Sequence, residues 1–449
     1  MGSITLQQAA DWCGGQIDPK YAGRTFFGAT NDSRNIQPGQ LFVALQGARD
    51  GHDFIPAAME KGAAAVLCSR ATGDYPAIIV EDTRIALGQI AAGERKRLGA
   101  KVVGITGSVG KSTTKEMICA VLSRKYRVGK TPVNHNNDIG MPMAVLAMPD
   151  DIEVAVLEMG MNHFREIAYL TNIACPDIGV IINIGTMHIE HLGSQDGILQ
   201  AKMEIVEGMD GDGQLILYGD DPYLRKAPSM TDKLITYFGT GANCSITGSN
   251  VREDNGIFFD VQYAEGDFSV VLPLEGKHYV SDALAAITVG LKMGVSPEEI
   301  REALLNFQNM EGRQEIFEVG GITIIKDCYN AGPESMAAAL AVLGNRKGRR
   351  IAVLGDMLEL GVCTQAEHYR IGRIAAEKAD ILLAYGPNSP RVVTGAVTGG
   401  MEQVSGFEDR QKLIAELKRI AKPGDVMLFK GSHGMHMELA LEGFLKDKT

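Results

Sequence analysis

The stretch Gly104-Ile105-Thr106-Gly107-Ser108-Val109-Gly110-Lys111-Ser112-Thr113 constrains the fold more than any other. An apolar run, KVVGIT, ends in clustered glycines, and Lys-Ser then opens a helix-like segment. Such a segment needs a buried strand, a tight loop and a helix packed back on the sheet. Backbone N–H groups in the loop, together with the helix N-terminus, favour bound phosphate. The spacing departs from G-x-x-x-x-G-K-[ST], because position 105 is Ile and the first glycine lies one residue earlier. Lys111 is placed to reach β- and γ-phosphates, and the Ser112 hydroxyl to ligate Mg. Gly107, Ser108, Val109, Gly110 and Thr113 complete the expected cradle.

Strand-like and helix-like runs alternate on both sides of this segment, which predicts an α/β protein with parallel, doubly wound sheets. At 449 residues the chain is too long for one ordinary core. Three units are expected. In 1–98, Thr5 caps a helix over LQQAADWC that stops at Gly14-Gly15, and the runs TFFGAT, QLFVALQG, AAVLC and AIIVED follow. In 99–314, KVVGIT, EVAVLEMG, DIGVIINIG and GQLILYGDD read as buried strands. The alternating stretch 243–273, with turns at Asp254-Asn255-Gly256 and Glu265-Gly266-Asp267, reads as appended antiparallel hairpins. In 315–449, ITIIKD, RIAVLGD, DILLAYG and DVMLFKG form a second α/β sheet.

Composition excludes several function classes. The 44 basic and 55 acidic residues give a net charge of -11, and no basic stripe marks a nucleic-acid surface. The cluster Arg346, Lys347, Arg349, Arg350 reads as a solvated turn before a strand. Seven cysteines without a C-x-x-C pair read as reduced thiols in a cytosolic protein. No signal peptide and no apolar run of membrane-spanning length is expected.

Phosphate chemistry also needs a metal-anchoring acid on a neighbouring strand, and Glu158 ends AVLEMG. The next run, IGVIINIG, leads into a loop carrying His188 and His191. Both are placed for ligand contact, because ligands sit at the carboxyl ends of sheet strands.

Five motifs then occur in order: GITGSVGKSTTKEM, NHNNDIGMP, LEMGMNHFREI, NIGTMHIEHLGS and AKMEI. Together they resemble the central ATPase domain of the Mur ligases. The resemblance implies an N-terminal UDP-binding domain (1–98), a central P-loop ATPase domain (99–314) and a C-terminal Rossmann-like domain (315–449) that closes over ATP. It implies ATP-dependent amide ligation through an acyl phosphate. Glu158 then holds Mg between phosphates, and His188 rather than His191 helps hold a second ion. Lys202, which alone reads as an exposed helix lysine, matches a lysine carbamylated in many members. Lys111, Glu158, His188 and Lys202 are thus the implied catalytic set, and Ser112, Glu158, His188 and Lys202 the implied metal set.

Within the family, DCYNAGPESM (327–336) and VLGDMLELG (353–361) resemble the member that adds D-alanyl-D-alanine to UDP-N-acetylmuramoyl-tripeptide in peptidoglycan precursor synthesis. No Asp-Asn-Pro-Arg tetrapeptide, which serves the diaminopimelate-adding sister, occurs. By the same resemblance Arg313, Asp327, Tyr329 and Asn330 bind the nucleotide, Asn137 lies near the γ-phosphate and acceptor, and Asp32, Ser33 and Arg34 contact the UDP end. Members are usually cytoplasmic monomers of bacteria. The chain departs from the pattern in GKHYVSDALAA (276–286), where Tyr279 and Asp282 replace asparagines and Asp282 takes the adenine-reading position. It departs again at His433, where Arg is common. Two other readings stay open: a related ligase with another amine donor, and a non-catalytic nucleotide-binding regulator.

Overall fold

The computed structural model describes residues 3–70 and 73–446. Three parallel-rich sheets follow one another along the chain. The first has four parallel strands: Ala29–Thr30, Leu41–Val43, Ala65–Cys68 and Ala77–Ile79. The expected helix Leu6–Cys13 is present. Thr5 and Gln8 form its capping box, and Gly14 ends it in the left-handed region. The run TFFGAT is not one strand. Gly28 takes φ +63, which splits it into Thr25–Phe26 and Ala29–Thr30. Thr25–Phe26 pairs antiparallel with Ile4–Thr5, outside the four-stranded sheet.

The second sheet has nine strands. At its centre Lys101–Thr106 lies between Val154–Glu158 and Ile178–Ile181, parallel to both. Gln214–Tyr218 and Leu234–Gly239 extend it in parallel. The stretch expected to form hairpins does so: Ile246–Glu253, Ile257–Tyr263 and Gly266–Leu272 pair antiparallel in turn. These strands of the centre are buried along nearly their whole length, as their continuous Val/Ile/Leu character demands. The third sheet has six strands, in the order Glu315–Val319, Ile322–Asp327, Asp425–Lys430, Arg349–Gly355, Ile381–Tyr385 and Val404–Phe407. Only the first pair is antiparallel.

One apolar cluster crosses from the first unit into the second. It joins Leu41, Leu67 and Ile90 to Met141, Leu157 and Ile205. Helix Thr83–Leu98 is the bridge, since Gly88 abuts Tyr169 and Ile173 of the middle unit. The other face of the middle sheet packs on the P-loop helix Lys111–Leu122 and on Tyr279–Lys292. Among the described residues no helix is long and apolar enough to cross a membrane.

Asp221 anchors the loop that leaves Ile178–Ile181. Its Oδ2 accepts from Ile184 N–H at 2.7 Å, and its Oδ1 accepts from Tyr223 N–H at 2.8 Å. Asp221→Ala leaves the buried Ile184 N–H and the half-buried Tyr223 N–H unpaired and is expected to cost about 2–3 kcal/mol. Urea unfolding followed by circular dichroism measures it, and an unchanged midpoint would refute the assignment.

Candidate active site

The P-loop glycines sit where neighbours leave no room for a side chain. A Cβ on Gly107 would meet Ile182 Cγ1 at 2.2 Å, and one on Gly110, at φ +87, would meet Asp282 Oδ1 at 2.8 Å. The loop is braced from the adjacent strand end. Asn183 Oδ1 accepts from the N–H groups of Ser108 and Val109, each at 2.9 Å, and its amide donates to Val109 O at 2.8 Å. Ser108 Oγ accepts from Gly185 N–H at 2.9 Å. Lys111 folds over the loop and donates to Gly107 O at 2.9 Å. Burial pulls the Lys111 ammonium below its ordinary pKa; Glu158 opposes the shift and Arg313 adds to it.

Glu158 ends its strand directly beside the loop. Its N–H donates to Thr131 Oγ1 at 3.0 Å, and its Oε1 accepts from Asn136 Nδ2 at 2.9 Å. Its Oε2 is buried with no hydrogen-bond partner, and Lys115 Nζ stands 3.9 Å away. Ser112 Oγ accepts from Arg313 Nη2 at 3.1 Å. The Arg313 guanidinium lies 4.0 Å from the centre of the Tyr329 ring, and the Tyr329 hydroxyl meets Asn134. The junction with the C-terminal unit is thereby drawn onto the P-loop.

His188 is half-buried at the site and Lys202 is buried. Burial first, then Lys111 and Lys202, push the His188 imidazole down to about 4, so it is neutral at physiological pH. Lys202 is 2 % exposed and pairs with no carboxylate among the described residues. Burial, and then the charge of Lys111, hold its pKa well below the ordinary value. Both influences favour the neutral amine over the ammonium.

All but five of the expected site residues line one cavity of about 470 Å³. Gly107 and Lys202 are buried and do not line it. Asp32, Ser33 and Arg34 do not line it. Asp32 takes the Arg34 guanidinium at 2.9 Å on each oxygen, so that turn satisfies its own charges. Asp327 pairs with Lys430 at 2.7 Å, and Lys430 also donates to Asn330 O at 3.0 Å. Asn137 lines the cavity while its Oδ1 accepts from Gly140 N–H at 2.7 Å, where the helix Gly140–Leu146 begins. Sequence reasoning passed over Asn136, Asn183, His278, Glu334 and Lys430, which also line it. Asn136 and Asn183 lay inside quoted motifs, but nothing local distinguished their side chains.

Oxygen donors at Ser112 and the unpartnered Glu158 Oε2 fit a hard cation such as Mg. No group of three or more His, Cys, Asp or Glu that could hold a metal occurs among the described residues. A sparse protein set suits Mg, which takes most of its ligands from phosphate and water.

Three family profiles match in order: "Mur ligase family, catalytic domain" over 28–95, "Mur ligase middle domain" over 105–290 and "Mur ligase, glutamate ligase domain" over 312–433. A UDP-N-acetylmuramoyl-tripeptide--D-alanyl-D-alanine ligase of Bacillus subtilis (strain 168) is 40% identical, over 97% of this chain and 96% of that protein. The chain belongs to the Mur ligase family. A crystal structure of MurF from Acinetobacter baumannii superposes with a TM-score of 0.91 at 32% identity, covering 99% of both chains. MurF ligase from Thermotoga maritima, solved in complex with ADP, has a TM-score of 0.83 at 29% identity, over 94% of this chain and 97% of that one.

Against the Mur ligase pattern, the two departures acquire structural meaning. The Tyr279 hydroxyl oxygen accepts from Asn309 Nδ2 at 2.9 Å. Asp282 Oδ1 accepts from Thr114 Oγ1 at 3.0 Å, beneath Gly110, so its carboxylate is engaged at the P-loop helix rather than free to read a base. Burial raises Asp282 to about 7, against opposition from Thr114 and Arg313.

Between its ordinary value and about 7, the native protein holds a proton on Asp282 that the unfolded chain releases. Stability therefore falls as pH rises through that window. Asp282→Asn keeps the shape and removes the charge. Its melting temperature is expected to exceed that of the parent by roughly 3 °C or more near pH 8, and by much less near pH 4.5. Equal shifts at both pH values in differential scanning calorimetry would exclude a buried ionised Asp282.

Proposed function

We propose that this Mur ligase joins D-alanyl-D-alanine to UDP-N-acetylmuramoyl-tripeptide, consuming ATP, in the last cytoplasmic peptide-adding step of peptidoglycan precursor synthesis. The observation that carries this reading is the near full-length match, at 40% identity, to the Bacillus subtilis enzyme of that name. The cavity composition supports it, because segment 327–336 lines the same cavity as the P-loop.

In this reading a carboxylate oxygen of the tripeptide attacks the γ-phosphorus of ATP. The bond to the bridging oxygen breaks and ADP leaves, giving an acyl phosphate. The neutral amine of D-alanyl-D-alanine attacks the acyl carbon, phosphate leaves, and the nitrogen gives up a proton. Carboxylate and triphosphate repel each other, so the first step depends on cations held close by. Lys111, the N–H groups of the loop and Arg313 supply fixed positive charge there. Ser112, Glu158, His188 and a carbamylated Lys202 would hold Mg, two ions in this reading, and bound Mg neutralises phosphate charge. Asp327, Tyr329 and Asn330 hold the nucleotide from the C-terminal side, with Asp282 at its P-loop end, and Asn137 serves the γ-phosphate and acceptor. Asp32, Ser33 and Arg34 serve the UDP end. Docking of the C-terminal unit keeps water from the acyl phosphate. The units 1–98, 99–314 and 315–449 divide these tasks within a monomer.

An omission assay tests the reaction. A UDP-muramoyl-pentapeptide mass is expected only when ATP, Mg, UDP-N-acetylmuramoyl-tripeptide and D-alanyl-D-alanine are all present. ADP without pentapeptide would mean a different amine donor. Neither product from folded protein would favour a nucleotide-binding regulator.

Lys202→Ala is expected to lower kcat about 100-fold, in line with the loss of a metal-orienting group. Added short carboxylates should restore part of it by supplying the oxygen ligand. Full activity in this variant would overturn the carbamate assignment.

A further inference from the structure

The segment that carries His188 belongs to the middle unit, yet the C-terminal unit grips it at three points. Glu334 Oε1 accepts from Thr186 N–H and from Thr186 Oγ1, both at 3.0 Å. Gly361, at φ +49, lies so close to Glu190 that an added Cβ would stand 2.9 Å from the Glu190 Cβ. Between these contacts Glu359 Oε2 comes within 2.7 Å of His188 Nδ1.

Two features of this third contact are unusual. His188 and Glu359 both adopt left-handed backbone at φ 62, where non-glycine residues are uncommon. Such strain persists only where surrounding structure imposes it, and it gathers at sites where position matters. His188 Nδ1 is also buried without an aligned hydrogen bond, so the Glu359 carboxylate is the acceptor nearest to its ring nitrogen. A carboxylate this close to Nδ1 favours a proton there. The neutral ring then keeps its lone pair on Nε2. Carboxylate partners act on functional imidazoles in this way, by fixing tautomer and orientation.

We propose that Glu359 is a positioning residue: from the docked C-terminal unit it holds His188 in the Nδ1–H tautomer and leaves the Nε2 lone pair available to the reaction site. The strained loop of one domain thereby completes the site of another. The catalytic consequence rests on the ligase reading of His188, whereas the tautomer itself does not.

The test uses the full-length protein, Mg-free and saturated with a nonhydrolysable ATP analogue, with its histidines labelled with nitrogen-15. The spectrum of His188→Gln identifies the signal. Parent and Glu359→Gln are expected to show the Nδ1–H tautomer, since glutamine retains an acceptor. Glu359→Gly should show Nε2–H. Glycine relaxes the left-handed backbone, so its melting temperature should equal or exceed that of the parent. In the ligase assay Glu359→Gly should lose about 10–100-fold in kcat with little change in KM for ATP, and Glu359→Gln should keep most of the rate. An unchanged tautomer in Glu359→Gly overturns the proposal, as does a Glu359→Gln variant as slow as Glu359→Gly. If the parent makes no pentapeptide, the ligase reading fails while the tautomer comparison still decides this one.

Discussion

The register of three parallel strands is the constraint on which the site depends. Ile105 stands opposite Glu158 on one side, and Thr106 opposite Ile181 on the other. Parallel strands end on a common edge, so the P-loop, the Glu158 carboxylate and the His188 segment emerge together. A slip of one residue would turn Glu158 to the opposite face of the sheet. The register also forces the backbone of Gly107 against Ile182, and it brings the Asn183 amide within reach of the loop N–H groups. The shape of the phosphate loop is thus set as much by the neighbouring strand as by its own glycines.

That edge concentrates groups that burial makes unfavourable. Lys111, Lys202 and His188 are each driven toward their neutral forms by desolvation, and Lys111 adds to the shift of the other two. Facing them, Glu158 Oε2 is buried with no hydrogen-bond partner, and Lys115 Nζ stands 3.9 Å away. Taking ionised groups out of water costs several kcal/mol each in a protein interior. A bound triphosphate would pair with the Lys111 ammonium, whereas the Glu158 carboxylate calls for a cation such as Mg. Strong local electrostatics and modest local stability are therefore two aspects of one arrangement.

The C-terminal unit contributes chemistry as well as cover. Tyr329 and Arg313 lean on the P-loop side, Asp327 and Lys430 form an ion pair in the opposite wall, and Glu334 and Glu359 hold the His188 segment. The contacts of Tyr329 with Arg313, of Glu334 with Thr186 and of Glu359 with His188 each join the C-terminal unit to the middle one. The motif DCYNAGPESM was conspicuous in the sequence, but Glu334 within it was not, because its partner Thr186 lies 148 residues away. The turn at Asp32–Arg34 shows the reverse. It was singled out as a binding motif, and in the structure its charges close on each other, 2.9 Å apart.

The sequence by itself determined the α/β class, the strand–glycine–helix segment, the antiparallel stretch at 246–272 and the succession of three sheets. Periodicity, caps and glycine placement are local signals, and local signals are written in neighbouring residues. The division of TFFGAT at Gly28, the brace from Asn183, the engagement of Asp282 under Gly110 and the contact between Glu359 and His188 were decided only by tertiary structure. Each of the last three depends on two distant segments arriving at one place. The burial that makes their charges matter exists only after the chain has packed.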